Sequence, residues 1–449
     1  MGYKGGINQD VISLIFNNER ENLFNNTLKH IENEEFINRS KVGSYGFTRH
    51  RKISFKDLIV FISQNMQSSL QRSLNRFYKE VTSGDFNIQY VTKGAVTQAR
   101  SKLKHEAFIE LNQGVCKDFY NDFPYYKWNN FRLIGCDGST LVLPNHPSIK
   151  EEFGEHSYGP NADSPKSLAR TSILYDVLNL MTIDAQIAPL EKGEREMLKE
   201  QIEFIKPEDL LLTDRGYPSY ALMFALLANG IDFCIRMKET WWLDVRKLLK
   251  EGVNDKIVTF RLPKEDYDLM KQYNKTNPSF TCRLIVIDLP DGKKEILCTS
   301  LLDKDKFPLE CFSELYHYRW NIEEGYKLFK ARVEIEKFSG KTSLAVKQDF
   351  FAKVYIMSLC AALAFPIEDK VRQETLQANR KYKHKINRTN AISLLCDISP
   401  KIFYKDCFKQ AMEAFDYILL KTTEIVRPNR SFKRKKYPKK IPSMIYKQL

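Results

Sequence analysis

The sequence predicts an α/β fold: a mixed sheet flanked by helices, set between a helical N-terminal region and a helical, basic C-terminal one. Three observations carry this. Residues 1 to about 125 place apolar side chains at helical spacing. From Asn129 the pattern changes to short apolar or alternating runs, three in meander and then alternating with helical segments, which is the layout of a mixed α/β sheet. Beyond Pro366 the chain turns polar and closes on a basic run.

The chain has 449 residues, enough for two or three domains, and its 43% hydrophobic and 12% aromatic content is that of a folded protein. A net charge of +14 suits a polyanionic partner. The nine cysteines are odd in number and never in C-x-x-C spacing, which argues against zinc and disulfide frameworks and for a reducing cytoplasm. The opening "MGYKGGINQDVISLIF" lacks the apolar core of a secretion signal. The longest apolar run, Val354 to Phe365, is too short to span a bilayer and is expected to be a core helix ending at Pro366. With no membrane partner expected, the positive charge is directed at nucleic acid.

The elements follow in order. "DVISLIFNNERENLFNNTLKHIENEEF" is helical, and Ser54 is the expected N-cap of the next helix. After a turn at Thr92-Lys93-Gly94, a helix from Gly94 to Phe108 carries Gln98, Arg100, Lys102 and Lys104, resembling a helix-turn-helix recognition segment; an ordinary basic surface helix has the same look. "FRLIGCDGSTLVLP" and "RTSILYDVLNLMTIDAQIAPL" read as strands, "GEREMLKEQIEFI" as a helix, "DLLLTD" as a buried strand, "YALMFALLANG" as a helix closed by Gly230, and "IDFCIRMK" as a strand. Residues from about 238 to 310 then interrupt the layout with strand-like runs, a β-rich insertion. The expected domains are 1–125, 126–365 with that insertion, and 366–449. The last of these has a basic tail carrying Lys433, Arg434, Lys435 and Lys436, read as a polyanion-binding arm.

The stretch "ELYHYRWNIEEGYKLFK" separates its charges by angle. At about 100° per residue, Leu315, Ile322, Tyr326, Phe329 and Val333 form one apolar line. Tyr316, Arg319, Glu323 and Lys330 form a second, about 70° away, while Glu324, His317 and Asn321 point to solvent. Glu323 therefore sits where a functional carboxylate would be placed. The same spacing also suits a plain i,i+4 ion pair between Arg319 and Glu323.

Asp137 and Asp214 each end an apolar strand, the position at which open α/β sheets build sites. If Glu323 joins them, three carboxylates repel one another unless a cation is present. Oxygen-only ligands favour Mg²⁺ or Mn²⁺, and two such ions clamp the oxygens of an in-line phosphoryl transfer. A basic chain with such a site reads as a nuclease or strand-transfer enzyme.

Asp137-Gly138-Ser139, Thr213-Asp214-Arg215-Gly216-Tyr217 and Tyr316-x2-Arg319-x3-Glu323-x6-Lys330 together resemble the DDE transposases of bacterial insertion sequences, in the group with the Tyr-Arg-Glu-Lys signature (insertion-sequence family four). "ARTSILYDVLNLMTIDAQIAP", "GERE" and "AVTQARSKL" extend the resemblance from about residue 90 to 345. It implies an RNase H-like catalytic core with the β-rich insertion before the last acid. Asp137, Asp214 and Glu323 become the catalytic and metal-binding triad, and Tyr316, Arg319 and Lys330 contact DNA phosphates. The implied activity is cut-and-paste transposition on double-stranded DNA: strand cleavage at the element's inverted-repeat ends, then strand transfer into target DNA, by a homodimer in a paired-end complex. The implied location is the cytoplasm, on the nucleoid. The group forms hairpins at its ends with help from an aromatic of the insertion, but Trp241 and Trp242 align to no such role and are expected in the core. A domesticated nuclease of the same fold and a catalytically silent DNA-binding regulator remain alternatives. All three acids are present, which does not favour the silent one.

Overall fold

The computed structural model describes residues 9–48, 52–64, 69–157, 165–289, 292–378 and 381–427. Two compact units emerge: 126–140 with 170–326, and 1–125 with 141–169 and 327–449.

The first unit is an α/β body on a large mixed sheet. Its strands are β1 (Arg132–Val142), β2 (Leu168–Asp176), β3 (Met181–Pro189), β4 (Asp209–Thr213), β5 (Asp232–Arg236), β6 (Asp255–Arg261), β7 (Ser279–Asp288) and β8 (Lys294–Thr299). Their spatial order is β3-β2-β1-β4-β5-β8-β7-β6. β1, β4 and β5 run parallel, and β8, β7 and β6 follow antiparallel. β4 is buried along its whole length, as a central parallel strand with both faces covered must be.

The register of β1 on β4 is held by a buried bidentate ion pair. Arg132 Nε and Nη2 donate to Asp209 Oδ1 and Oδ2, both at 2.6 Å. Losing one partner would strand a charge in the interior and cost about 3–5 kcal/mol. The pair sits at the start of both strands, and the ladder runs on to Cys136 opposite Thr213.

The segment expected to interrupt the sheet extends it instead. β8 pairs with β5, from Cys234 opposite Thr299 to Arg236 opposite Leu297. One core runs across the join, with Ile134, Leu211 and Phe233 in the same apolar cluster as Cys282, Leu284 and Cys298. The physical reason is the unpaired edge that β5 would otherwise present.

The second unit is helical and centres on Ser343–Gln377. This helix is long and apolar enough to cross a membrane, but 94% of its most apolar window is buried inside the protein, so it serves as a core helix. Phe365 meets Phe119 of the helix Glu106–Asp122 edge to face at 5.2 Å. The expected stop at Pro366 does not occur; Pro366 lies inside the helix. Proline removes one helical donor and pushes on the carbonyl behind it. Arg20 Nη1 donates to the neighbouring Leu363 carbonyl at 3.3 Å, and its forks hold Asp416 at 2.7 and 2.8 Å.

Candidate active site

The parallel register sets two acids side by side. One step beyond the pair Cys136–Thr213 come Asp137 and Asp214, on strands that neighbour each other at about 4.8 Å. Asp214 stands at the turn after β4, but β1 runs on through Asp137 to Val142, so Asp137 lies within its strand and not at its end as expected. Asp137 Oδ1 accepts the Gly138 N–H at 2.9 Å, and Asp214 Oδ1 accepts the Gly216 N–H at 2.8 Å. Behind them Tyr217 is fully buried, and the Cys136 thiol donates to its hydroxyl at 3.7 Å. Gly138 is crowded: a Cβ there would lie 2.7 Å from the end of the Glu194 side chain, which Arg170 Nη1 holds at 3.0 Å and which would have to move aside.

The segment carrying Glu323 is not one regular helix. It is Cys311–His317, a turn at residues 318 and 319, then Trp320–Lys327, followed by a π turn over Leu328–Arg332. The apolar line survives the break, since Leu315, Ile322, Tyr326, Phe329 and Val333 are all buried, and Glu324 and His317 are exposed. The second line does not survive it. Tyr316 is 1% exposed, and its hydroxyl donates to the Thr213 carbonyl at 3.2 Å. The reading of Tyr316 as a phosphate contact is therefore corrected: like Leu315 in the same helix Cys311–His317 it is buried, and its hydroxyl is taken by the Thr213 carbonyl. Asn321 is corrected too; its side-chain amide donates to Val177 O at 2.9 Å. Arg319 is buried and forms the plain i,i+4 pair, Nη2 to Glu323 Oε1 at 2.7 Å, while its Nε has no partner.

Electrostatics link the four groups. Burial pushes the Asp137 carboxyl up to about 6; the Gly138 N–H lowers it, Asp214 raises it, Arg319 lowers it and Glu323 raises it. Asp137 thus feels both other acids and the arginine. Among the described residues no three acid, histidine or cysteine side chains already stand close enough to form a closed metal cage. The donor chemistry nonetheless fits a hard divalent cation: all-oxygen ligands, with a carboxylate whose ionisation its neighbours oppose.

The profile described as "Transposase DDE domain" matches residues 129–360. The chain belongs to this family. Transposase InsG for insertion sequence element IS4 of Escherichia coli (strain K12) is 25% identical over 254 residues, which is 55% of each chain. The transposase for insertion sequence element IS231F of Bacillus thuringiensis subsp. israelensis is 22% identical over 396 residues, 78% of this chain and 80% of the relative. The chain therefore spans about half the length of the first relative and most of the second. A cryo-EM structure of the piggyBac transposase synaptic complex with hairpin DNA aligns over 91% of this chain and 86% of its own at 9% identity, and its TM-score of 0.43 is too low to argue from. The resemblance drawn from the signature residues is met at the level of the family: this is a DDE transposase domain of the IS4 group.

Outside the acids, the transposase chain departs from several expectations. The recognition-like segment is two helices, Lys93–Arg100 and Glu106–Asp122. Thr92 caps the first, and the turn after it is drawn to residues 40–42, with Val42 N donating to Lys102 O and Lys104 N to Ser40 O, both at 2.8 Å. Arg100 does not face outward. It is 7% exposed and bound to Gln348, Ser339, the Ala345 carbonyl and Asp349. Its expected base contact is corrected: the helix turns this face to the core. Gln98 is exposed and Lys102 half-exposed, and both line a cavity of about 340 Å³ with Tyr45, Phe47 and Lys52. Lys330 lies in the helical unit, half-buried, with burial lowering its ammonium pKa and Glu336 raising it. Lys433, Arg434, Lys435 and Lys436 fall outside the described residues. Of the two tryptophans expected in the core, Trp242 packs on Tyr220 at 4.5 Å, but Trp241 is 66% exposed with Lys238 Nζ 3.8 Å above its ring. Trp241 lies in a turn and Trp242 is the N-cap of the helix Leu243–Glu251, so strand alternation gives no signal for which of the two is buried.

Proposed function

We propose that this chain is an insertion-sequence transposase that cuts double-stranded DNA at its element's inverted-repeat ends and joins the freed ends to target DNA. The observation that carries it is the parallel register of β1 and β4, which sets Asp137 beside Asp214 within a transposase DDE domain. The strand order β3-β2-β1-β4-β5, with β1, β4 and β5 parallel, supports an RNase H-like core that β8, β7 and β6 lengthen.

Asp137, Asp214 and Glu323 would hold two divalent cations, Mg²⁺ or Mn²⁺. When bound, such ions supply Lewis acidity to attacking and leaving oxygens. The chain's own residues do the rest. Both aspartate carboxylates are aimed by the backbone N–H groups they accept, Asp137 from Gly138 within β1 and Asp214 from Gly216 in the turn after β4. Arg319, buried beside the acids, steadies Glu323 through the Nη2–Oε1 pair. Lys330 adds a further phosphate contact. Gln98 and Lys102 present polar and cationic groups for reading the element's ends, and Trp241 offers an exposed ring for stacking on an unpaired base. The basic tail neutralises phosphates without sequence preference. Two protomers would pair the two ends in the cytoplasm.

The test is cleavage of duplexes carrying the element's own ends or scrambled ends, with Mg²⁺. Cuts confined to the true ends support transposition. Cuts on both alike favour the nuclease reading, and binding without cuts favours the regulator.

A further inference from the structure

The segment bearing Glu323 carries two tyrosines whose hydroxyls both end on backbone carbonyls at the aspartate strands. Tyr316 donates to the carbonyl of Thr213, the residue before Asp214, at 3.2 Å. Tyr326 donates to the carbonyl of Asp137 itself at 2.9 Å. Both side chains are buried, at 1% and 9% exposure. Glu323 lies between them in sequence, three residues before Tyr326, about 4.5 Å along the helix axis.

Glycines let this segment approach closely. A Cβ on Gly325 would meet the Tyr175 ring at 3.3 Å. A Cβ on Gly135, two residues before Asp137, would meet Val177 at 3.0 Å and Ile322 at 3.4 Å. The helix is therefore seated on β1 with little room to slide, and the two hydroxyls tie it there. A buried tyrosine hydroxyl needs a partner, but nothing obliges both partners to be carbonyls beside an acid. Like charges on the acids push the elements apart, so rigid ties between them oppose that repulsion.

We infer that Tyr316 and Tyr326 are positioning residues: paired struts that set where Glu323 stands relative to Asp137 and Asp214. The inference rests on the proposed reading of those acids as cation ligands. Neither tyrosine touches the reacting atoms; each acts through the backbone of its strand.

The experiment uses the full chain with Tyr316→Phe and Tyr326→Phe, which delete one oxygen each and keep the ring. Two readouts are taken: hydrogen–deuterium exchange of Trp320–Lys327 in metal-free protein, and Mn²⁺ affinity by electron paramagnetic resonance titration. Thermal melting, with Tyr355→Phe in the helical unit as control, monitors folding. We expect each strut variant to melt close to wild type, to exchange about tenfold faster in that helix, and to bind Mn²⁺ about tenfold more weakly. Unchanged exchange in both variants overturns the struts, whatever the protein does with metal. Faster exchange with wild-type Mn²⁺ affinity overturns their link to the acids. If wild-type protein takes up no Mn²⁺, the reading of the acids has failed, and the assignment of positioning residues falls with it, leaving only the tie that the exchange data report.

Discussion

Arg100 and Asp349 stand 249 positions apart and meet as a buried ion pair, Nη2 to Oδ1 at 2.7 Å. The contact belongs to a small network. Asp349 also accepts the Ser339 N–H, and Gln348 donates to the carbonyls of Arg100 and Leu103. One arginine thus joins the end of an N-terminal helix to the start of the core helix Ser343–Gln377.

Arg100→Ala should therefore act on stability. Removing the cation leaves the Asp349 carboxylate buried without its partner, at a cost of about 3–5 kcal/mol. Denaturant titration of Arg100→Ala beside Gln98→Ala checks this. Arg100→Ala should lower the midpoint sharply. Gln98→Ala should leave it in place and relax discrimination between true and scrambled ends by about 1–3 kcal/mol, the worth of a base contact. A normal midpoint with lost discrimination in Arg100→Ala would return this residue to the DNA.

Asp137→Asn, Asp214→Asn and Glu323→Gln should each reduce strand cleavage by roughly a thousandfold or more, about 4 kcal/mol of barrier, while duplex binding persists. Glu324→Gln, on an exposed position, should cut normally. Activity should need Mg²⁺ or Mn²⁺ and fail with Ca²⁺, whose larger, looser coordination does not hold the reacting oxygens. Gel assays of nicked and cut product over the three metals decide the matter, and full cleavage in excess chelator would end the metal reading.

Gly138→Ala should strain β1 beside Asp137 by overcrowding, since its methyl would fall 2.7 Å from the Glu194 side chain. Overpacking of this kind costs about 1–3 kcal/mol. Glu194→Ala opens the space, so Gly138→Ala/Glu194→Ala should be more stable than the sum of the single changes allows. Strict additivity across the double-mutant cycle would show that the crowding is relieved elsewhere.

Asp184 is 8% exposed, and burial pushes its carboxyl from 3.8 up to about 6; the Gln201 amide, donating at 2.7 Å, pulls the other way. The folded value lies above the unfolded one, so this group's contribution to stability is fully present below about pH 4. It is lost as pH rises through 6. Asp184→Asn removes the ionisation. Relative to wild type it should gain stability as pH goes from 4 to 7, by at most about 3 kcal/mol. Melting curves of both proteins across that window check the sign, and parallel curves would show that Asp184 does not titrate there.

Composition and local pattern alone determined a good deal. The alternating and apolar runs from Asn129 onward became the strands, because a buried strand needs little beyond apolar residues and bounding turns. Ser54 caps its helix with a full capping box, and Gly230 takes a φ of +71° beyond the helix Tyr220–Ala228, since caps are decided by neighbours in sequence. The apolar line Leu315, Ile322, Tyr326, Phe329 and Val333 is buried as periodicity required. The resemblance in the signature residues led to the right family. Tertiary structure decided what periodicity assumes away. Tertiary packing buried Tyr316 against the Thr213 carbonyl, which a helical wheel cannot register, and chose the i,i+4 pair of Arg319 with Glu323 that the spacing had left open. Arg100 looks basic and exposed in sequence, but its partners lie some 245–249 residues away, beyond any local window. Pro366 reads as a stop, yet burial on all sides carries the helix through it. The strands of the inserted segment could be seen, but not that they would close the open edge of β5, because strand pairing is a choice between distant edges.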